Sequence, residues 1–227
     1  MYFTVITPSP GREREAAQQR ATGPYSEHQW LWSFFPAEKG SPRDFLFRRM
    51  DIDGMPRFYL VSKRSPQTTH GAWRVQSREY APRLAAGTLL RFDLRANPVV
   101  TIGTDGKSAR HDVVMHEKKR LLAERGLARW QEWKGHEKPE LYELVNDVCG
   151  QWLVSRSPRL GFEIVGGSLL VEGYAQHNVK KGSLRFSTVD FSGVLRVMET
   201  AAFSDSLVGG VGHAKAFGCG LLLVRAT

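Results

Sequence analysis

Cysteine is almost missing from this chain: Cys149 and Cys219 are the only two in 227 residues. Two cysteines cannot build a disulfide scaffold, and without a CxxC spacing they hold no zinc and run no dithiol chemistry. That usage fits a reducing compartment. No run of 18 apolar residues occurs, so no membrane-spanning segment is expected. The opening MYFTVITPSPGRERE has no basic stretch before its short apolar segment, which does not fit a secretory signal, and a soluble cytoplasmic protein is the expectation. Seven histidines are present, but none forms HExxH or has a cysteine or carboxylate at ligand spacing, so no metal site is expected. There is no GxSxG elbow and no Walker A loop, which removes the motif support for serine hydrolases and nucleotide triphosphatases. No cofactor is expected.

What is present is ordinary globular composition with an excess of positive charge. Hydrophobic residues make up 41% and charged residues 24%, enough for a core without disulfides or metals. At about 150 residues per domain, the length suits one large domain or two small ones. Lys and Arg number 32 against 23 Asp and Glu, a net charge of +9. The excess lies in residues 41–95 (11 basic, 5 acidic) and 151–227 (8 basic, 5 acidic), whereas residues 96–150 carry nine of each. Two basic regions around a balanced middle suit a polyanion such as nucleic acid. A generally solvated basic surface is the plainer alternative.

The apolar patterning predicts a strand over residues 2–7, then a polar stretch over 8–23. A helix follows from Pro24, which is suited to a first helical position, to the stop at Pro36. Strands are predicted at 45–50 and 58–62 around a turn at Asp53-Gly54, an ambiguous and possible helix at 74–84, and a strand at 88–94. This is the order of a ferredoxin-like βαββαβ unit, a layout that RNA-recognition modules use. A second such order follows. A strand at 99–103, or one near 113, begins it, with helices at 116–134 and 140–153. Strands at 160–174 and 184–197, a short helix at 197–203 and a closing strand at 221–225 complete it. The predicted fold class is α+β, two tandem ferredoxin-like domains, residues 1–100 and 101–227, with the boundary near 96–110.

Three features carry chemistry. His28 lies in the first helix with Tyr25 three residues earlier on the same face. An imidazole titrates near neutrality and can act as general acid or base, and a phenol beside it can orient it or bond a phosphate oxygen. Spacing alone favours the plainer reading, in which the pair only edges the buried stripe. The second feature is GGVGHAKAFGCG, residues 209–220, whose backbone N–H groups around Lys215 suit phosphate oxygens. A glycine-rich crossover that permits close packing is the alternative. The third is NVKKGSLR, residues 178–185, where Lys180, Lys181 and Arg185 form a basic tip suited to an RNA stem or merely a solvated turn. Arg156 and Arg159, around Ser157-Pro158, form a weaker basic loop.

Three blocks together resemble the CasE-type CRISPR-associated endoribonucleases. They are YSEHQWLW (25–32) with Phe35-Pro36 and RDFLF (43–47); FDLRANP (92–98); and GVGHAKAFGCGLL (210–222). They fall in family order across nearly the whole chain. The resemblance implies two tandem ferredoxin-like domains in a metal-independent enzyme that cuts CRISPR precursor RNA at the 3′ base of the repeat stem-loop. The products carry a 2′,3′-cyclic phosphate and a 5′-hydroxyl, and the enzyme stays with its product among other Cascade subunits. It further implies that His28 and Tyr25 are catalytic. Lys180, Lys181, Arg185, Arg156 and Arg159 become RNA contacts, and Gly210, Gly212 and Lys215 form an RNA-facing loop. Some relatives carry further basic side chains near the histidine, whereas here Gln29 and Ser33 sit on the same helix, so the cation facing the phosphate is left open. Residues 105–160 match the family least. A non-catalytic RNA-binding subunit of the same kind of complex is the alternative.

Overall fold

The computed structural model describes residues 1–19, 24–38, 40–104, 107–179 and 184–227. The first half runs β1 (Tyr2–Pro8), α1 (Glu13–Gln19), α2 (Pro24–Trp32), β2 (Phe45–Ile52), β3 (Met55–Ser62), β4 (Thr69–His70) and β5 (Trp73–Glu79). Its antiparallel sheet has the order β2-β3-β1-β5-β4. Alternation along β1 turns Thr4 and Ile6 inward, where Ile6 joins Ala16 of α1, Leu31 of α2 and the aromatic rings of Phe34, Phe35, Phe47 and Phe58. β2 and β3 form a hairpin through Asp53-Gly54, both at positive φ (52° and 73°). That two-residue turn matches the twist of the strands it joins.

The second half runs β6 (Leu89–Ala96), β7 (Val99–Thr104), β8 (Lys107–Asp112), α3 (Val113–Glu124), α4 (Leu141–Val154), β9 (Phe162–Ile164), β10 (Leu170–Val179), β11 (Leu184–Val197), α5 (Thr200–Gly209) and β12 (Leu222–Ala226). The order is β10-β11-β6-β12 with β9 beside β11, and β7 and β8 make a separate ribbon. With β4 and β9 set aside, each half places its four main strands in the order second, third, first, fourth. Both halves are therefore ferredoxin-like, as the sequence predicted. The second core packs Trp152 and Leu153 of α4 and Phe203 and Leu207 of α5 onto Phe92, Leu94, Phe191 and Leu195 of the sheet.

The structure departs from the sequence reading in several places. Residues 74–84 hold no helix: Trp73–Glu79 is a strand paired with β1, so the first unit lacks its second helix. The helix expected over 116–134 ends at Glu124, and the last helix extends from Thr200 to Gly209 instead of stopping near 203. β6 is hydrogen-bonded to β11 and β12. We therefore propose residues 80–88 as the boundary between the halves, in place of 96–110.

Among the contacts that tie the halves together are an apolar cluster and an ion-pair group. Leu46 and Val61 of the first sheet bury with Leu221 just before β12. Beside them, Asp190 of β11 accepts from Arg95 of β6 through two bonds of 2.8 and 2.7 Å and from Arg48 of β2 at 3.3 Å. Arg48 is buried, and its Nε and Nη1 have no hydrogen-bond partner among the described residues.

Candidate active site

Helix α2 starts at a proline, whose fixed φ suits that position, and is anchored by buried Leu31 and, just beyond its end, by Phe34 and Phe35. This leaves His28 half-buried at the edge of the stripe. Trp32 Nε1, one turn on, donates to His28 Nε2 at 3.3 Å, which puts the proton of the neutral ring on Nδ1. Burial lowers the His28 pKa, and the positive charge of Arg43 lowers it further. The imidazole is thus held neutral at pH 7, and its acceptor nitrogen, Nε2, can take a proton once the bond from Trp32 opens.

Arg43, in the segment leading into β2, is half-buried, with Nε and Nη1 lacking partners among the described residues. Lys215 opens a 3₁₀ turn, Lys215–Phe217, that follows Ala214 in a left-handed conformation. Its Nζ donates to Gly209 O at 2.6 Å, and burial followed by Arg43 lowers its pKa. One open cavity of about 380 Å³ is lined by His28, Arg43, Gly212, His213, Ala214, Lys215 and Ala216. Helix α2 and the glycine-rich loop, nearly 190 residues apart in sequence, meet there.

The loop has a fixed shape. Val211 N donates to Gly220 O, and Gly220 N donates to Arg95 O of β6. Gly210 has φ +73°, and a Cβ there would stand 2.8 Å from Leu46 Cδ1 and 2.9 Å from Gly220 O. Its role is close packing, and among the two predicted RNA-facing glycines only Gly212 lines the cavity.

The basic surface extends beyond the cavity. The exposed His213 has its pKa lowered by burial of its ring and then by Arg110, Lys215 and Arg156. Arg156 is tied down: Nη1 donates to Trp152 O, Nη2 to Val99 O, and the guanidinium lies over the Trp152 ring. Arg159 is exposed on the 3₁₀ turn Pro158–Leu160 and depresses the Arg156 pKa after burial does so. Arg185 is exposed at the start of β11, opposite Asn178. Lys180 and Lys181 lie outside the described residues. Tyr25 is in α2, one turn before His28, and its side chain also lies outside them. At the hairpin's root, His177 stacks on Phe186 at 4.8 Å, and Phe186 on Phe217 at 4.7 Å.

Sequence reasoning did not single out Arg43, His213 or Arg110. Arg43 stood within the block at 43–47, where its charge next to an apolar strand was the available signal. Arg110 lies in the charge-balanced middle, and nothing local marks it. Among the described residues, no group of three or more His, Cys, Asp or Glu side chains could hold a metal ion.

His28 thus faces Arg43 and Lys215 where the two ferredoxin-like halves meet. The model of the family described as CRISPR associated protein matches residues 1–226, and the chain belongs to that family. It is 30% identical over 201 residues to the CRISPR system Cascade subunit CasE of Escherichia coli K12, covering 87% of this chain and 89% of that protein. Among solved structures, Thermus thermophilus Cse3 bound to an RNA representing a pre-cleavage complex superposes with a TM-score of 0.67 at 22% identity, over 99% of this chain and 98% of that one. Cas6e of Escherichia coli K-12 gives 0.61 at 22% identity over the full length of both. These structural likenesses confirm the tandem fold.

Proposed function

We propose that this protein is a metal-independent endoribonuclease that cuts CRISPR precursor RNA at the 3′ base of the repeat stem-loop. In this reading it leaves a 2′,3′-cyclic phosphate and a 5′-hydroxyl, and it stays with its product beside other Cascade subunits in the cytoplasm. The observation that carries the proposal is the meeting of His28, Arg43 and Lys215 around one open cavity. The relatives' names, a Cascade subunit and an RNA-bound endoribonuclease, support the substrate class. Among the described residues, no helix is long and apolar enough to cross a membrane.

The chemistry needs two proton transfers and positive charge. The ribose 2′-OH attacks the adjacent phosphorus, its proton leaves, and the departing 5′-oxygen gains one. Neutral His28 handles one of these transfers, and general acid–base catalysis of this kind contributes about 10²–10⁴-fold. Tyr25, on the same helix, orients the group or the phosphate. Arg43 and Lys215 face the phosphate and stabilise the charge that builds on its oxygens, where loss of one such donor costs about 10²–10³-fold. Arg43 thereby supplies a cation, which the neutral Gln29 and Ser33 of the helix do not. Lys180, Lys181 and Arg185 grip the stem, with Arg159 and Arg110 continuing the positive surface.

The test is cleavage of end-labelled repeat RNA in excess EDTA, beside the same RNA with a 2′-deoxy residue at the cut site. Cleavage of the first substrate only, and its loss in His28→Ala with binding retained, is the expected result. Binding without cleavage by the wild type would leave an RNA-binding subunit as the function.

A further inference from the structure

A second basic surface lies apart from the His28 cavity and shares no lining residue with it. On the first sheet, the face turned away from α1 and α2 carries Phe3 of β1, Tyr59 of β3, and Arg74 and Arg78 of β5. Arg57 of β3 lines the same cavity as Arg74, Arg78 and Phe3. An adjoining cavity shares Phe3 and Arg78 and runs on to Leu223 and Arg225 of β12 on the second sheet. There Arg225 sits directly opposite Arg91 of β6.

The charges of this groove are one-sided. None of Arg57, Arg74, Arg78, Arg91 and Arg225 makes an ion pair with a described residue, and the carboxylate lining the two cavities is Asp93 alone. Like charges directly opposite on neighbouring strands destabilise a sheet, so the Arg91–Arg225 placement works against folding unless an anion lies across it. The floor is aromatic. Phe3 lies 6.3 Å from Tyr59 and 5.7 Å from Tyr80, ring centre to ring centre, and Arg78 stands over Phe3 at 5.8 Å. Phe3, Tyr59 and Tyr80 are all partly exposed.

We propose that this groove binds single-stranded RNA, namely the segment that flanks the stem-loop held at the His28 site. The proposal rests on the reading that this chain takes RNA. An acidic protein segment would satisfy the arginines but has no use for the aromatic floor. Bases stack on aromatic rings of an open sheet face whatever their sequence, while arginines track the phosphates. The groove therefore lengthens the RNA footprint without demanding a sequence from the flank.

The experiment measures binding of the full chain to a stem-loop with a 2′-deoxy cut site, with and without an eight-nucleotide single-stranded extension at either end. The expected result is that one extension tightens wild-type binding about ten-fold. The gain should vanish in Arg74→Gln/Arg78→Gln/Arg225→Gln, whose changed side chains are all exposed. The salt slope for the extended RNA should fall by about two, at roughly 0.7 per lost single-strand phosphate contact, while binding of the bare stem stays the same. If neither extension adds affinity, or the gain survives in the triple variant, the proposal is overturned. If a polyglutamate peptide binds the wild type but not the variant while the extensions add nothing, the groove takes acidic protein instead. Failure of the wild type to bind even the bare stem would overturn the RNA reading itself.

Discussion

Phe186, at the root of the β10–β11 hairpin, stacks on Phe217 of the glycine-rich loop with ring centres 4.7 Å apart and planes 24° from parallel. Phe217 closes the turn that Lys215 opens. In the proposed reading, a stem gripped at the hairpin is tied through this stack to Lys215 in the cavity. Aromatic pairs contribute about 0.5–1.5 kcal/mol beyond their buried area. Phe217→Ala should lower the single-turnover cleavage rate about ten-fold with little change in stem affinity, and Phe217→Tyr should restore it. An equal loss of rate and affinity in Phe217→Ala would show that the stack only supports the fold.

The pH profile follows from the environment of His28. Burial and Arg43 both lower its pKa from 6.5, so its proton-accepting form persists to more acidic pH than in a free histidine. The single-turnover rate should fall on acidification through an inflection attributable to His28 that lies below pH 6.5. Arg43→Gln removes one of the two causes, so that inflection should move up toward 6.5, together with a rate loss of about 10²-fold. A profile that stays in place would separate Arg43 from the histidine.

Asp190 neutralises arginines from both halves. Asp190→Ala leaves the buried Arg48 and the 37% exposed Arg95 without their carboxylate. Breaking a buried pair from one side costs about 3–5 kcal/mol, and the exposure of Arg95 puts this case at the lower end. The urea midpoint should fall with the slope unchanged. A midpoint within error of the wild type would mean that water replaces the carboxylate.

Gly210 tests the shape of the loop. Gly210→Ala places a methyl against Leu46 and the Gly220 carbonyl in a left-handed backbone, a combination that destabilises by roughly 1–3 kcal/mol. Cleavage should fall more than stem binding, because the displaced segment leads into Gly212 and Lys215. Unaltered cleavage and melting temperature would refute the packing role.

Much of the tandem fold was legible because its strands alternate or run apolar. Trp73–Glu79 escaped because Arg74, Gln76 and Arg78 fill the face opposite Trp73 and Val75, and those residue types also suit helices. The basis of that composition is long-range: the polar side faces an open groove. The site was legible in pieces. His28 was marked by its helix and Lys215 by its glycines, but their meeting depends on α2 packing against the Lys215–Phe217 turn, which no local pattern encodes. Arg43 became visible only once its unpaired guanidinium was seen beside both.

The cavity takes His28 and Arg43 from the first fifth of the chain and Lys215 from its last dozen or so residues, just ahead of a strand, β12, that completes the second sheet. Synthesis therefore delivers His28 and Arg43 long before Lys215. A nascent chain on the ribosome has no assembled site and gains one only when the final strand has emerged and paired with β6. In the proposed reading, an incomplete copy therefore lacks the lysine opposite His28 and Arg43, and removal of residues 215–227 would leave the histidine with Arg43 but without Lys215.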